Sequence, residues 1–332
     1  MTLDISVPLI VKNEERHIKE CLDNLTWVKE VILVDTGSTD KTLEIAKEYE
    51  NVKIFKEPTE FLVHFKEKDK WLFCFDKARN YALDRCTASY ILILDADERI
   101  YNPEHLELLM TGEVEKTIDV WYLFQVSKLP SGKISPCMTT RFWKNHLGIK
   151  YDKMVHETVD GYVDTHGLKR GKSDLRIDHV GFINEEYSAE KSQRVIDAIE
   201  YEGHPYKNYY LGVAYAQAKD PDKAIEYLLK ADEELLPFNI RAHGITLLAD
   251  LFRQYSDYYK MMANERLDYS LKICPEQNLS YIIRAEMKKS TGENPLREIK
   301  KIKRRKHQTS QMHQDILLSD EEVNQLEKEF GI

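Results

Sequence analysis

The sequence predicts an α/β, Rossmann-like N-terminal domain followed by an α-helical domain. Three observations carry this expectation. In the first hundred or so residues, short runs that are apolar throughout alternate with segments of helical periodicity, the pattern of a parallel sheet covered on both faces. Polar, carboxylate-rich turns follow two of those runs, at residues 35–40 and 95–98. Beyond residue 184 the strand patterns stop and the periodicity becomes almost wholly helical.

Taken in order, residues 5–11 are the first β-rich run, and residues 13–25 place Ile18, Cys21, Leu22 and Leu25 on one helical face. Residues 31–34 form a second strand that stops at Asp35, and a helix with Leu43, Ile45 and Ala46 as its apolar positions follows. Residues 52–55 are a third strand, 78–83 lie in a third helix, and 90–94 are a fourth strand. Residues 56–75 form a long connection with Phe61, Phe65, Trp71 and Phe73 among lysines. Connections of that length are usually functional or mobile. From about 121 to 179 the patterns shorten into mixed strands and loops. The expected domains are therefore 1–185 and 186–332. In the second, residues 205–237 carry Leu211, Gly212, Ala214, Tyr215, Ala224 and Ala231 at offsets close to a tetratricopeptide repeat, whereas 237–275 match it poorly. Ser319, Asp320, Glu321 and Glu322 read as a capping box that opens a last helix.

At 332 residues the chain has room for two ordinary domains, and an apolar fraction of 42% supports packed cores. A net charge of −9 argues against a protein that coats nucleic acid. The N-terminus lacks a basic region, and its first apolar run contains Pro8 and soon meets Lys12, unlike a signal peptide. No apolar stretch reaches the length of a membrane span. Five scattered cysteines without a CxxC pair read as reduced thiols and place the chain in the cytoplasm. The Asn24-Leu25-Thr26 sequon is without consequence there.

Asp95 and Asp97 stand one residue apart directly after an apolar run. Two such carboxylates are costly to place together without a cation, and hard ions such as Mg²⁺ or Mn²⁺ take these oxygens together with a substrate's phosphates. A solvated acidic strand end is the bland alternative. At the earlier strand end, Gly37 permits a tight turn and Thr39 or Asp40 can cap the next helix. Asp35 is then left in the crevice beyond the carboxyl ends of the strands, where α/β sheets bind ligands. An ordinary strand-to-helix turn is the alternative. Three other patterns fail. His156-Glu157-Thr158-Val159-Asp160 lacks the second histidine of a zinc protease helix, and residues 167–173 are one residue short of a phosphate-binding loop. The basic run 300–306 reads as a solvated helix face, with contact to nucleic acid or an acidic acceptor as the alternative.

Val11-Lys12-Asn13-Glu14, the turn 35–40, Ala78-Arg79-Asn80 and Asp95-Ala96-Asp97-Glu98 stand in the order found in family 2 glycosyltransferases of GT-A fold, and the chain resembles that family. Later motifs are Thr140-Arg141-Phe142-Trp143-Lys144-Asn145, Val155-His156-Glu157 and His179-Val180-Gly181-Phe182. They resemble a branch with tetratricopeptide-like helices at the C-terminus, which includes bacterial and phage peptide S-glycosyltransferases of the sublancin type. The first half is also similar to lipooligosaccharide-core glucosyltransferases. The resemblance implies inverting transfer from a UDP-sugar with Mn²⁺ or Mg²⁺. It implies that Pro8, Asn13, Glu14 and Asp35 frame the nucleoside, with Asp35 on the base. Arg79 would reach the ribose, the base-side crevice or the phosphates; Asp95 would hold the ribose, and Asp97 and His179 the metal on the diphosphate. For Arg79 the alternative is a surface helix arginine, for His179 a structural histidine. The chain departs from the family at Cys74-Phe75, where relatives often carry an acidic residue before the aromatic, and in the longer connection before it.

Helical repeats present grooves suited to extended chains, so the expected acceptor is a peptide or protein. The rivals are a cell-surface glycan or lipid-linked saccharide as acceptor, and a non-catalytic scaffold, against which the intact Asp35, Asp95 and Asp97 stand. Glu157, in the half of the domain that borders the acceptor in GT-A enzymes, is the expected base, with Asp160 in reserve. Its alternative is a structural glutamate paired with Arg141 or Lys153. A homo-oligomer is compatible with the sequence, and the transferred sugar is left open.

Overall fold

The computed structural model describes residues 2–56, 59–113, 115–128, 134–180, 189–253, 257–275 and 278–290, with residues 293, 295, 298 and 328. The chain divides into two compact units: Met1–Ser127 with Met138–Gly181, and Lys128–Cys137 with Phe182–Ile332.

The first unit opens with β1 (Leu3–Val11), α1 (Ile18–Asp23), β2 (Val28–Asp35), α2 (Thr42–Ala46) and β3 (Val52–Lys56). A two-stranded hairpin of β4 (Leu62–Phe65) and β5 (Lys70–Phe73) precedes α3 (Phe75–Leu83). Then come β6 (Tyr90–Leu92), β7 (Glu98–Ile100), α4 (Glu104–Thr111), β8 (Val120–Lys128), β9 (Ile134–Lys144), α5 (Asp160–Thr165) and β10 (Arg170–His179), of which Lys128 and the start of β9 up to Cys137 are counted with the second unit. Eight strands form one sheet in the order β3-β2-β1-β6-β9-β8-β10-β7. β3, β2, β1 and β6 run parallel, β6 is antiparallel to β9, and β7 is antiparallel to β10. The α/β class expected from the sequence is therefore observed, with antiparallel pairs added in the second half of the sheet.

The apolar runs have no polar face because both faces of the sheet are covered. Val7, Leu9, Val31 and Leu33 pack on one side with Ile18, Cys21 and Leu22 of α1 and Leu106 of α4. Ile32, Val34, Ile91 and Ile93 pack on the other with Ala78 and Ala82 of α3 and Val163 of α5. Two segments differ from expectation. The helix expected over 13–25 begins only at Ile18, because Asn13 has a left-handed backbone (φ 57°) and is bound to the neighbouring turn. The connection 56–75 holds the β4–β5 hairpin, whose inner side chains Phe61, Phe65 and Leu72 are buried. Its foot is an edge-to-face cluster of Phe61, Phe73, Phe75 and Tyr81.

From residue 189 the second unit is helical: α6 (Ala189–Glu202), α7 (Lys207–Gln217), α8 (Pro221–Asp232), α9 (Phe238–Phe252), α10 (Asp257–Ile273) and α11 (Asn278–Ser290). Asp220 caps α8 through its side chain on the Lys223 amide, with Pro221 at the first helical position. Gly212 lets α7 meet α8 closely, since a Cβ there would lie 2.6 Å from Leu228 Cγ. The capping box at 319–322 and the basic run 300–306 lie outside the described residues. Among the described residues, no helix is long and apolar enough to cross a membrane.

Candidate functional site

The polar residues singled out in the sequence gather beyond the carboxyl ends of the parallel strands. β1 and β2 are in register to their last pair, Val11 with Asp35, so the two following turns lie side by side. They are stitched together: the Asn13 amide donates to Ser38 Oγ (3.0 Å), Asn13 Oδ1 accepts from the Thr39 amide (2.8 Å), and the Glu14 amide donates to Thr42 Oγ1 (2.7 Å). Gly37 completes the turn at φ 107°. Asp35 is only 4% exposed, and its Oδ1 accepts from the Ser38 amide at 2.9 Å. Pro8 lies buried within β1, opposite Ile32 and beyond the last pair with β6, so its missing amide costs no bond to that strand. Pro8 thus belongs to the sheet, and the Asn13 side chain to the stitch between turns. Glu14 is the group of this segment that faces the other carboxylates: burial, with Asp97, Asp95 and Asp40 nearby, pushes its carboxyl up to about 7.

The second cluster is built on the turn after β6. The Asp95 amide donates to Glu98 Oε2 (2.8 Å) and the Glu98 amide to the Asp95 carbonyl (2.9 Å), which folds residues 95–98 tightly. Arg99, buried beneath, donates to the carbonyls of Ala96 and Glu98 and to that of His17 at the foot of α1. Asp95 Oδ1 accepts from Arg79 Nη2 at 2.9 Å, and Arg141 Nη1 is 4.0 Å from Oδ2. Burial alone would raise Asp95; Arg79 and Arg141 outweigh it and hold the carboxyl below its ordinary range. Glu98 Oε1 accepts from Gln125 Nε2 (2.6 Å) and Arg141 Nη2 (3.0 Å). Burial nevertheless pushes Glu98 up to about 7, with the charge of Asp95 adding to it.

Asp97 and His179 meet because β10 sets His179 opposite Ser127 on one side and Glu98 on the other. The Val180 amide donates to the Asp97 carbonyl (2.8 Å), and His179 Nε2 is 2.8 Å from Asp97 Oδ2. Ser127 Oγ is 3.1 Å from Nδ1 of the same ring. The hydrogen bond to Asp97 raises the imidazole above its ordinary value and outweighs burial.

Glu157 stands on a closed loop. The Asp152 and Thr158 backbones pair with each other, and Lys153 and His156 between them have left-handed backbones (φ 72° and 54°). Glu157 Oε1 accepts from Arg79 Nε at 2.8 Å, so its partner is Arg79 rather than Arg141 or Lys153. Asp160 has a different setting: Thr140 Oγ1 (2.8 Å), Tyr122 OH (3.3 Å) and Thr158 Oγ1 (3.1 Å) all donate to its carboxylate at the start of α5. Those bonds hold the Asp160 carboxylate at the start of α5.

The structure thus brings two hydrogen-bonded sets, Asp95–Arg79–Glu157 and Asp97–His179, and the Glu14 carboxylate close enough to act on one another electrostatically, with Asp35 one strand away. The sequence reading missed Gln125, Ser127, Arg99 and Tyr151. A signal existed for the first two: they continue the buried parity of Trp121 and Leu123 along β8 as polar residues. Among the described residues no three histidine, cysteine or acidic side chains converge closely enough to hold a metal by themselves. Asp97 and His179 do offer one hard oxygen and one imidazole nitrogen side by side. Divalent ions at nucleotide sites take few protein ligands and complete their shell with phosphate oxygens and water, and this donor set fits that habit.

Comparison with known proteins agrees with the sequence resemblance. The chain is 26% identical over 275 residues to the SPbeta prophage-derived glycosyltransferase SunS of Bacillus subtilis (strain 168), covering 77% of this chain and 60% of that protein. It is 33% identical over 124 residues to the uncharacterized glycosyltransferase YibD of Escherichia coli (strain K12), covering 36% of this chain and 33% of that one. The chain therefore spans 60% and 33% of the length of these two curated relatives. Among solved structures, S. aureus TarS 1-349 in complex with UDP-GlcNAc aligns with a TM-score of 0.41 and 15% identity over 88% of this chain and 93% of that one. Residues 6–166 match the sequence profile described as glycosyl transferase family 2. They run from within β1 to the end of α5, contain every cluster residue except His179, and form a glycosyl transferase family 2 domain.

Proposed function

We propose that the protein transfers a sugar from a nucleoside diphosphate sugar to an acceptor, with inversion at the anomeric carbon. The observation that carries this reading is the juxtaposition of Asp97 and His179 with Asp95, Arg79 and Glu157 at the carboxyl ends of the strands. In this reading Asp35 accepts the base N–H, and Asp95 faces the ribose. Asp97 and His179 would hold Mn²⁺ or Mg²⁺. That ion supplies charge compensation for the departing nucleoside diphosphate. Glu157 is the base: the acceptor's O–H or S–H proton passes to its carboxylate as the acceptor atom bonds to the anomeric carbon and the bond to the diphosphate breaks. Removing the proton at that moment prevents a positive charge from building on the attacking atom. UDP is the preferred nucleotide, from the family resemblance. A peptide or protein is the preferred acceptor, from the resemblance to peptide glycosyltransferases and the similarity to SunS.

The test is a thermal shift. A ligand at one hundred times its Kd stabilises a protein by about 2.7 kcal/mol, so UDP with Mn²⁺ should raise the melting temperature visibly, and EDTA should reverse the rise. No shift with UDP and Mn²⁺ at millimolar concentration would remove the nucleotide site.

A further inference from the structure

Arg79 does something in this fold that no sequence pattern announces. Two nitrogens of its one planar guanidinium serve two different carboxylates: Nη2 donates to Asp95 Oδ1 at 2.9 Å and Nε to Glu157 Oε1 at 2.8 Å. Its partners lie 16 and 78 residues away in sequence. We propose that Arg79 is a positioning residue, a splint that sets the acceptor-side carboxylate of Glu157 in register with the donor-side Asp95; this rests on the reading of Glu157 as the base.

The surroundings of Arg79 are built for that purpose. The helix that carries it is clamped to the loop that carries Glu157. Asn80 Nδ2 donates to the Tyr151 carbonyl (2.9 Å), and the Tyr151 amide donates back to Asn80 Oδ1 (2.8 Å). The Phe75 amide donates to the Met154 carbonyl at 3.3 Å. The Tyr151 ring lies 5.5 Å from the guanidinium and packs beside it. Helix α3 and the loop 151–158 are therefore one assembly, and Arg79 is its tie to the turn after β6. Glu157 is left half anchored: Oε1 is taken by Arg79, while Oε2 accepts no hydrogen bond among the described residues. A carboxylate held by one oxygen with the other available has the geometry to receive a proton from a defined direction. The same guanidinium lies between two carboxylates that would otherwise repel each other. Lysine cannot replace it, because an ammonium is a point charge on a flexible stem, without the fixed fork of the guanidinium.

The experiment compares Arg79→Lys, Glu157→Gln and the double variant in the full chain. The readouts are Mn²⁺-supported hydrolysis of UDP-glucose or UDP-N-acetylglucosamine, with water standing in for the acceptor, and calorimetric binding of UDP. Arg79→Lys should lower the saturated hydrolysis rate by about tenfold or more, the order of a weakened general base, while UDP affinity stays within about threefold. Combined with Glu157→Gln it should add little, because the two residues act as one unit. Losses that multiply in the double variant overturn the proposal alone. So does weakened UDP binding with an unchanged saturated rate, which makes Arg79 a donor ligand. Wild-type hydrolysis by Glu157→Gln removes the base assignment itself. Should Arg79→Lys not fold, Glu157→Asp withdraws the carboxylate from Nε by one methylene; its rate should fall with UDP affinity kept, and an unchanged rate overturns the proposal.

Discussion

Asp35 offers a sharp separation of a structural from a binding role. Its Oδ1 accepts from the Ser38 amide at 2.9 Å, and no other hydrogen bond reaches the carboxylate among the described residues. The second oxygen is the one that the proposed function assigns to the nucleobase. Asp35→Asn leaves a single carbonyl oxygen with two claimants. The turn is formed before any ligand arrives, so the oxygen should stay with Ser38 and the amide nitrogen should meet the base N–H donor to donor. The loss is a hydrogen bond to a charged acceptor, about 1.5–3 kcal/mol, or roughly 10- to 150-fold in Kd for UDP. Asp35→Ala loses the turn bond as well, a further 0.5–1.5 kcal/mol of stability, roughly. Calorimetry with UDP and Mn²⁺, beside melting curves, reads both effects. The expected result is an Asn variant with a normal melting temperature and weakened UDP binding, and an Ala variant impaired in both. An Asn variant that binds UDP normally, with the Ala variant affected only in melting, refutes the reasoning and leaves Asp35 as a turn residue.

Asp97→Asn keeps the shape of the side chain but removes its charge, and should abolish Mn²⁺-supported UDP-sugar hydrolysis; a fully active, chelator-insensitive variant would remove the metal assignment. In the same variant the His179 titration, followed by NMR, should fall back toward 6.5, because the Asp97 hydrogen bond is what raises it. Glu30 tests the fold apart from the site. It is 2% exposed and accepts from Ser6 Oγ (2.6 Å), the Thr87 amide (2.6 Å) and Lys53 Nζ (2.6 Å). Burial alone would raise its carboxyl, but these partners outweigh burial and bring it from 4.5 down to about 2. The depressed folded value means that its stabilisation is complete above about pH 4.5 and disappears as pH falls through about 2. At 1.36 kcal/mol per unit this is about 3 kcal/mol at neutral pH, so Glu30→Gln should lower stability by that order and flatten its acid limb; equal denaturant midpoints at pH 7 would contradict the account.

Much of the first unit was legible because its signals are local. A run such as residues 31–34 is apolar throughout only if both of its faces are covered, and the observed β2 is covered by α1 on one side and α3 on the other. Asp35, Asp95 and Asp97 could be named because polar residues at the ends of such runs must lie at the carboxyl edge of a parallel sheet. The hairpin of β4 and β5 was not legible: its strands are four residues each, with lysines at the tip and aromatics on both faces, too short for either period to stand out.

What the sequence determined by itself is the order of elements and the chemistry standing at their ends: carboxylates after β2 and β6, an arginine on α3, a histidine closing β10. What only the tertiary structure decided is who meets whom. Arg79 finds Glu157 rather than solvent, His179 finds Asp97 and Ser127, and Gln125 and Arg141 close on Glu98. The physical reason is that secondary structure is written in periods of two and 3.6 residues, which a single segment displays. A hydrogen bond between residues 79 and 157 depends instead on strand order, register and the clamp between a helix and a distant loop, and those are settled by the packing of the whole unit.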